Sequence, residues 1–227
     1  KRPAPGPGVF VLEHVTSESG MLVPIPEVYQ ALLGSGIELI IDGAQAAGLW
    51  RPPLGLDVGY FGCFHKYIDA PVETGFCVLP RSSRGRAPHR LRARQSWLKG
   101  NPGECLPSTD IEKWTACRTA ILALEARSSC GDRVAKVQEA RSELLTSAPA
   151  VFRKQFSGVD QRYLSHILTL RSPESGSAWL WQVLSARGFK TKQLEHGVRI
   201  TLHDTVPLEE IRTLAGVLQE AIARAVA

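Results

Sequence analysis

The chain has 227 residues, of which 44% are hydrophobic, and a net charge of +5 at neutral pH. A chain of this size and composition can bury a sizeable core, which excludes a disordered protein. No apolar run approaches the length of a membrane span, and the basic, proline-rich start lacks the apolar segment of a signal peptide. We therefore expect a soluble protein of the cytoplasm.

The first part of the chain alternates short apolar runs with helical or turn segments, which is the pattern of an α/β domain with a mostly parallel sheet. Four runs predict strands, at residues 9–15, 37–42, 58–64 and 75–80. Between the first two strands, PIPEVYQALLGSG predicts a short helix that begins at prolines and ends at glycines.

A different pattern begins at Ser108, where Ser-Thr-Asp is typical of a helix N-cap and apolar residues follow at helical spacing. A second helix is predicted from about Asp132 to Leu145. The remainder predicts a small α+β domain in the order strand, helix, strand, strand, helix. These patterns indicate two domains, at residues 1–125 and 126–227.

A run of basic residues lies within the first of these domains, after the fourth predicted strand. Seven positive charges fall within nineteen positions, at Arg81, Arg84, Arg86, Arg90, Arg92, Arg94 and Lys99. A solvated loop is the simplest interpretation, because no nucleic-acid recognition motif or interleaved aromatic residue accompanies the run. Binding of a polyanion and attraction of an anionic substrate remain alternatives.

The cysteines indicate neither disulfides nor a metal site. Their number is odd and none is spaced as C-x-x-C, for Cys63, Cys77, Cys105, Cys117 and Cys130. This pattern favours reduced thiols, and no metal ion is expected.

Two short strings carry residues suited to chemistry. IIDGAQAAG places Asp42 at the carboxyl end of an apolar strand, where α/β sheets bind ligands. FHKYIDAPVETGF places Lys66 after a second predicted strand. Each residue taken alone is a weak signal, because such an aspartate is usually an N-cap and a lone lysine is usually solvated.

Together the two strings resemble the class V aminotransferase family of fold type I, whose members use pyridoxal 5'-phosphate (PLP). HVTSESGMLVPIPEV resembles the family's H-V-S-S-x-T-G-x-x-x-P-I-x-x-I segment, and VRITLHDTVPLEEI resembles its closing segment. The resemblance implies the C-terminal portion of the PLP-binding large domain, with a mostly parallel sheet, followed by a small α+β domain.

The resemblance implies a role for three residues around the cofactor ring. Asp42 would pair with the pyridine nitrogen, and Gln45 would hydrogen-bond the phenolic oxygen. Lys66 would be the Schiff-base lysine and would then move the α-proton.

Three further roles follow from the same resemblance. His65 would contact the phosphate, and Thr109, in Ser-Thr-Asp, would reach the phosphate of the neighbouring subunit's cofactor. Arg199 would bind the substrate's α-carboxylate, for which its planar guanidinium is suited. A surface arginine at a strand edge is the alternative for Arg199.

The chain departs from the family at specific positions. Cys63 stands where many members have a phosphate-binding serine, and a thiol is a poorer donor. Tyr-Asn-Thr of the family's closing segment is replaced by His203-Asp204-Thr205. No cysteine lies between Phe189 and Arg199, where cysteine desulfurases carry their nucleophile, so persulfide chemistry is not expected.

The family's phosphate cradle and the ring that stacks on the cofactor lie upstream of the segment with which this chain starts. We therefore expect a second polypeptide that supplies the N-terminal half, with dimerisation across the active site through Thr109. One longer polypeptide, and a degenerate subunit without cofactor, are the alternatives.

The predicted function is that of a PLP-dependent enzyme acting at the α- or β-carbon of an amino acid. APVETGF after Lys66 resembles isopenicillin-N epimerase-like members. Carbon–sulfur cleavage, β-elimination, epimerisation and transamination all remain open, since these reactions share the lysine, the aspartate and the carboxylate-binding arginine. The principal alternative is a non-catalytic partner subunit that retains the fold, while a nucleic-acid-binding module rests only on the arginine run.

Overall fold

The computed structural model describes residues 8–53, 55–80, 111–127, 129–171 and 177–226. Contacts divide the chain into two compact units, the first with residues up to 14 and from 24 to 129, and the second with residues 15–23 and those from 130 onward. The arginine-rich run at residues 81–99 and Thr109 lie outside the described residues. None of the helices in the described ranges is long and apolar enough to cross a membrane.

The first unit is built on a four-stranded sheet in the order β1-β2-β3-β4. β1, β2 and β3 are parallel and β4 is antiparallel to β3, so the predicted mostly parallel α/β sheet is confirmed. Its elements are β1 (Gly8–Glu13), α1 (Ile25–Leu32), β2 (Ile37–Asp42), β3 (Gly59–Cys63), β4 (Gly75–Val78) and α2 (Ile111–Arg127).

Local sequence accounts for β2 and α1. In β2, Leu39 and Ile41 are buried while Ile40 between them is only half-buried, because successive side chains of a strand point to opposite faces. α1 begins after Pro24 and has a further proline in its first turn, where a proline removes no helical hydrogen bond. Gly34 follows its end with a φ of 78°, a conformation that favours glycine.

β1 is an edge strand with apolar side chains exposed on both of its faces. Val9, Phe10 and Val11 are consecutive and remain 53%, 43% and 58% exposed. β4, at the other edge, carries Val78, which is also exposed. Edges of this kind are usually covered in soluble proteins, because the free backbone and apolar surface favour association.

The second unit contains a three-stranded antiparallel sheet in the order β5-β7-β6. The predicted order strand, helix, strand, strand, helix is confirmed. Its elements are α3 (Cys130–Ser147), α4 (Ala150–Arg153), two single 3-10 turns (Lys154–Phe156 and Gln161–Tyr163), β5 (Ile167–Arg171), α5 (Ala178–Ala186), β6 (Lys192–Leu194), β7 (Gly197–Thr201) and α6 (Leu208–Val226).

The core of the second unit lies between one face of its sheet and its helices. The strands contribute Leu168, Leu170, Val198 and Ile200, and the helices contribute Leu144, Leu180, Leu184 and Leu218, all of them buried. Alternate residues of β5 and β7 therefore form one continuous apolar face, as the pleat of a strand requires.

Residues 15–23 pack with the second unit as a short hairpin. Val15 bridges to Leu22, and Met21 bridges to Leu164. Gly20 has a φ of 71°, and a Cβ added there would overlap the carbonyl of Ile167. Only glycine therefore allows the hairpin to approach β5 this closely.

Candidate active site

Asp42 is the last residue of β2 and lies at the carboxyl end of the parallel part of the sheet. Its Oδ1 accepts a hydrogen bond from the backbone N–H of Ala44 at 2.8 Å. Among the described residues, none donates to Oδ2. Oδ1 thus fixes the orientation of the half-buried carboxylate, and Oδ2 is available to accept a hydrogen bond from a ligand.

Gln45 is buried in the turn that follows Asp42. Its Oε1 accepts a hydrogen bond from the hydroxyl of Tyr67 at 3.2 Å. Within the described ranges, no group accepts from its Nε2. The chain therefore offers a hydrogen-bond acceptor at Asp42 and a donor at Gln45, three positions later, and neither atom has a partner among the described residues.

Lys66 and His65 follow β3, whose carboxyl end lies beside that of β2 because the two strands are parallel. Lys66 is half-buried and His65 is exposed. Neither side chain has a hydrogen-bond or ion-pair partner in the part of the chain that the structure describes. An amine without an ion pair is available for a covalent bond or a proton.

Three contacts join the turn after β2 to the last residue of β3 and to the segment that follows it. The thiol of Cys63 donates to the carbonyl of Ala44 at 3.4 Å, and the Tyr67 hydroxyl binds Gln45 as described above. A Cβ added to Gly48, whose φ is 90°, would lie 2.6 Å from the Cγ1 of Ile68. The residues predicted to bind the cofactor ring are therefore carried by two segments that pack directly on each other.

A buried pair that the sequence analysis missed supports the same turn. His14 Nδ1 lies 3.1 Å from the Tyr60 hydroxyl, and the His14 backbone N–H donates to the carbonyl of Asp42 at 2.8 Å. Burial lowers the pKa of His14 to about 4, while burial and then the Asp42 charge raise the pKa of Tyr60. The Tyr60 ring occupies the space that a Cβ on Gly43 would need.

Arg199 lies on β7 of the second unit, opposite Thr169 of β5. Its Nη1 donates to the carbonyl of Ser17 at 2.9 Å, and its Nε is buried without a partner among the described residues. His166 lies nearby, and its pKa falls to about 3 because of burial and then the charges of His203 and Arg199. The hairpin of residues 15–23, which belongs to the same unit, thus holds one end of the guanidinium.

No protein-family model matches the chain. Over 100 residues it is 31% identical to isopenicillin N epimerase from Streptomyces clavuligerus, and the match covers 41% of this chain and 23% of that protein.

Solved structures show the same architecture across nearly the whole chain. A cysteine desulfurase from Thermococcus onnurineus NA1 has a TM-score of 0.73 at 13% identity, covering 95% of this chain and 60% of that one. An alanine–glyoxylate aminotransferase from Nostoc sp. has a TM-score of 0.68 at 16% identity, covering 95% and 62%. The chain has the fold of the fold type I PLP enzymes.

The fold type I resemblance that the sequence indicated is therefore confirmed, with class V aminotransferase-like structures among the matches. A serine palmitoyltransferase from S. paucimobilis, solved with bound PLP–myriocin aldimine, also matches, with a TM-score of 0.64 at 18% identity and coverage of 96% and 55%. The chain spans between 55% and 62% of these solved structures.

A groove of about 690 Å³ lies elsewhere on the first unit of this fold. It is lined by Ile68, Asp69 and one face of α2, on which small residues such as Ala116 and Ala120 predominate. Its lining, within the described residues, includes none of the six residues predicted for the site. The candidate site is thus defined by the ends of β2 and β3 and not by this groove.

Proposed function

We propose that the chain is the catalytic lysine-bearing part of a PLP-dependent enzyme that acts at the α- or β-carbon of an amino acid in the cytoplasm. The proposal rests on three polar groups that have no partner among the described residues and that lie on two chain segments packed against each other. Asp42 offers an acceptor, Gln45 offers a donor, and Lys66 offers an amine without an ion pair among the described residues.

These groups match the ring of PLP in chemistry. The protonated pyridine nitrogen is a donor and would bind Oδ2 of Asp42, while the phenolic oxygen is an acceptor and would bind Nε2 of Gln45. A charge-assisted bond from Asp42 would keep the ring nitrogen protonated. The described residues therefore fit the ring part of the cofactor.

When bound, PLP serves as an electron sink for negative charge that develops on the substrate. The side chains of this chain would do the remaining work. Lys66 would hold the cofactor covalently and move the proton at the substrate's α-carbon, and Arg199 would bind the α-carboxylate. The named relative makes epimerisation one candidate reaction, alongside β-elimination, carbon–sulfur cleavage and transamination.

The phosphate would be bound by His65 and by Thr109 of a neighbouring subunit. A phosphate dianion needs several converging donors, and His65 is the one among the described residues that the resemblance assigns to it. We therefore propose that further donors come from additional polypeptide and from dimerisation across the site.

The exposed edge of β1 supports such a second polypeptide. Three consecutive apolar residues are exposed there, and the matched structures are longer than this chain. A strand added beside β1 would cover this surface. Intact mass spectrometry with size-exclusion chromatography tests the idea, since a lone 24.8 kDa monomer that binds PLP tightly would contradict it.

The function is tested by covalent labelling. The purified protein is incubated with PLP, reduced with borohydride and digested, and we expect the pyridoxyl group on Lys66. Lys66→Ala should abolish both the visible absorption band and the adduct. Lys113→Ala is the matched control, because Lys113 is a lysine of the same unit that pairs with Glu73 at 3.2 Å. An adduct that persists in Lys66→Ala would disprove the assignment.

A non-catalytic partner subunit is the second candidate, and one contact favours it. The thiol of Cys63, at the place of the family's phosphate-binding serine, is bound to the carbonyl of Ala44. A subunit of this kind would show neither the absorption band nor the adduct. Asp42→Asn separates the two further, because it should strongly reduce turnover in an enzyme and leave the assembly of a scaffold unchanged.

A further inference from the structure

Tyr67, the residue that follows Lys66, makes a side-chain contact with Gln45. Tyr67 is buried, and its hydroxyl donates to Oε1 of Gln45 at 3.2 Å, across 22 positions of sequence. We propose that Tyr67 is a positioning residue that orients the Gln45 amide, so that its NH₂ group points to the phenolic oxygen of PLP. This inference rests on the proposed function.

The chemistry of the amide explains why its orientation matters. One side of a glutamine amide is an acceptor and the other is a donor, and a rotation of 180° exchanges them. A phenolic oxygen that carries negative charge is stabilised by the donor and destabilised by the acceptor. A residue that binds Oε1 therefore determines that the NH₂ side of the amide, and not its carbonyl side, faces the phenolic oxygen of the cofactor.

In this contact the Tyr67 hydroxyl is the donor and Oε1, the carbonyl side of the amide, is the acceptor. Both residues are buried, so a broken bond would not be replaced easily by water. With Oε1 engaged, Nε2 is the side of the amide that has no partner among the described residues.

The backbone of Tyr67 is also held in place. A Cβ added to Gly48 would lie 3.1 Å from the carbonyl of Tyr67 and 2.6 Å from the Cγ1 of Ile68, so the two chain segments are in close contact. Gly48 and Gln45 belong to the same turn, and Tyr67 is therefore fixed to this turn by both its side chain and its main chain. The contact couples the residue after Lys66 to the residue that would bind the cofactor ring.

A double-mutant cycle tests whether Tyr67 acts through Gln45. The full chain, in the oligomeric form in which it purifies, is titrated with PLP, and both the Kd and the visible absorption band are recorded. Tyr67→Phe keeps the ring and removes the hydroxyl, and should raise the Kd about 3- to 10-fold and shift the band. In a Gln45→Ala background the same change should alter the Kd less than about 2-fold, because the amide to be oriented is gone.

Gln45→Glu tests the donor directly. Its carboxylate can still accept from Tyr67, but it presents oxygen in place of NH₂ to the cofactor, so it should weaken PLP binding more than Gln45→Ala does. Tyr60→Phe is the matched control for loss of a buried hydroxyl, since Tyr60 binds His14 and not Gln45. Its effect on the Kd should add to that of Gln45→Ala.

Thermal unfolding of each variant shows whether it is folded at the titration temperature. Equal effects of Tyr67→Phe in both backgrounds, or an unchanged band, would overturn the positioning role and leave the proposed function standing. A wild-type protein that takes up no PLP even in the presence of the additional polypeptide proposed to bind at β1 would overturn the proposed function, and this inference with it. A non-additive cycle with a band shift in Tyr67→Phe, absent from Tyr60→Phe, is the result we expect.

Discussion

The two units of the chain differ in how completely their own residues cover their apolar surface. The second unit has an antiparallel sheet whose core face is covered by its own helices, and Phe152, Leu168 and Leu218 are fully buried. The first unit has a mostly parallel sheet whose first strand exposes Val9, Phe10 and Val11. Burial of apolar area is the main source of stability, so loss of an apolar side chain should cost much more in the core of the second unit than on β1 of the first.

Both units contain polar groups without partners, but of different kinds. In the second unit Arg199 is hydrogen-bonded to Ser17, yet its Nε is buried without a partner among the described residues. In the first unit Asp42 and Gln45 each keep one polar atom without a partner among the described residues. Unpaired polar groups are costly unless they bind something, so each unit has groups that a bound ligand would stabilise.

The largest expected effect compares one phenylalanine from each unit. Phe152→Ala removes a fully buried ring from the second unit and should reduce the free energy of unfolding by about 4 kcal/mol. Phe10→Ala removes an exposed ring from β1 and should cost less than about 1 kcal/mol. Urea unfolding of both variants measures this. Similar losses would mean that β1 is covered in solution.

A pair of glycines gives the next largest difference. Gly20 in the second unit and Gly34 in the first have φ values of 71° and 78°, but a Cβ at Gly20 would overlap the carbonyl of Ile167 while one at Gly34 would meet nothing. Gly34→Ala should cost about 1 kcal/mol of stability from backbone strain alone. Gly20→Ala should cost about 3 kcal/mol, because the overlap is added to the strain. Equal melting temperatures for the two variants would contradict this reading of the hairpin.

Among the described residues, each unit also contains a buried histidine that makes stability depend on pH. Burial lowers the pKa of His14 to about 4, and burial, His203 and Arg199 lower that of His166 to about 3, from an ordinary value of 6.5. At a pH between the lowered pKa of the folded state and the ordinary pKa of 6.5 in the unfolded state, the unfolded state binds more protons. The free energy of unfolding is therefore highest above pH 6.5 and decreases as the pH falls below it.

Each histidine should therefore remove roughly 2 kcal/mol of stability at pH 5 relative to pH 8. Urea unfolding at both pH values, for wild type, His14→Gln and His166→Gln, separates the two contributions. Each substitution should reduce the pH dependence by its own share. A pH dependence that survives in the double variant would have to come from other groups.

The smallest expected effect on stability is at the exposed edge. Val9→Lys places a charge on β1 and should change the free energy of unfolding by no more than about 0.5 kcal/mol, because Val9 is exposed. It should nevertheless weaken any association along this edge, since charged residues on edge strands oppose strand pairing. Analytical ultracentrifugation of the variant beside wild type measures this, and unchanged association would place the contact surface elsewhere.

Local sequence was sufficient to predict most of the elements. The apolar run at residues 37–42 became β2 with alternate burial, and the helix predicted after Pro24 became α1. Hydrophobic periodicity and helix-ending glycines reflect nearby interactions, which a window of sequence contains. The roles of Asp42, Gln45, His65, Lys66, Thr109 and Arg199 remain predictions, because they concern groups bound by the protein.

By itself, the sequence determined the order of strands and helices, the mostly parallel sheet, and the strings that contain Asp42 and Lys66. The tertiary structure alone decided that Tyr67 binds Gln45 and that His14 meets Tyr60. These pairs are separated by 22 and 46 positions and bring together polar residues whose sequence context is ordinary. They meet because β1, β2 and β3 align in parallel with their carboxyl ends together, and that alignment is a property of the packed sheet and not of any local pattern.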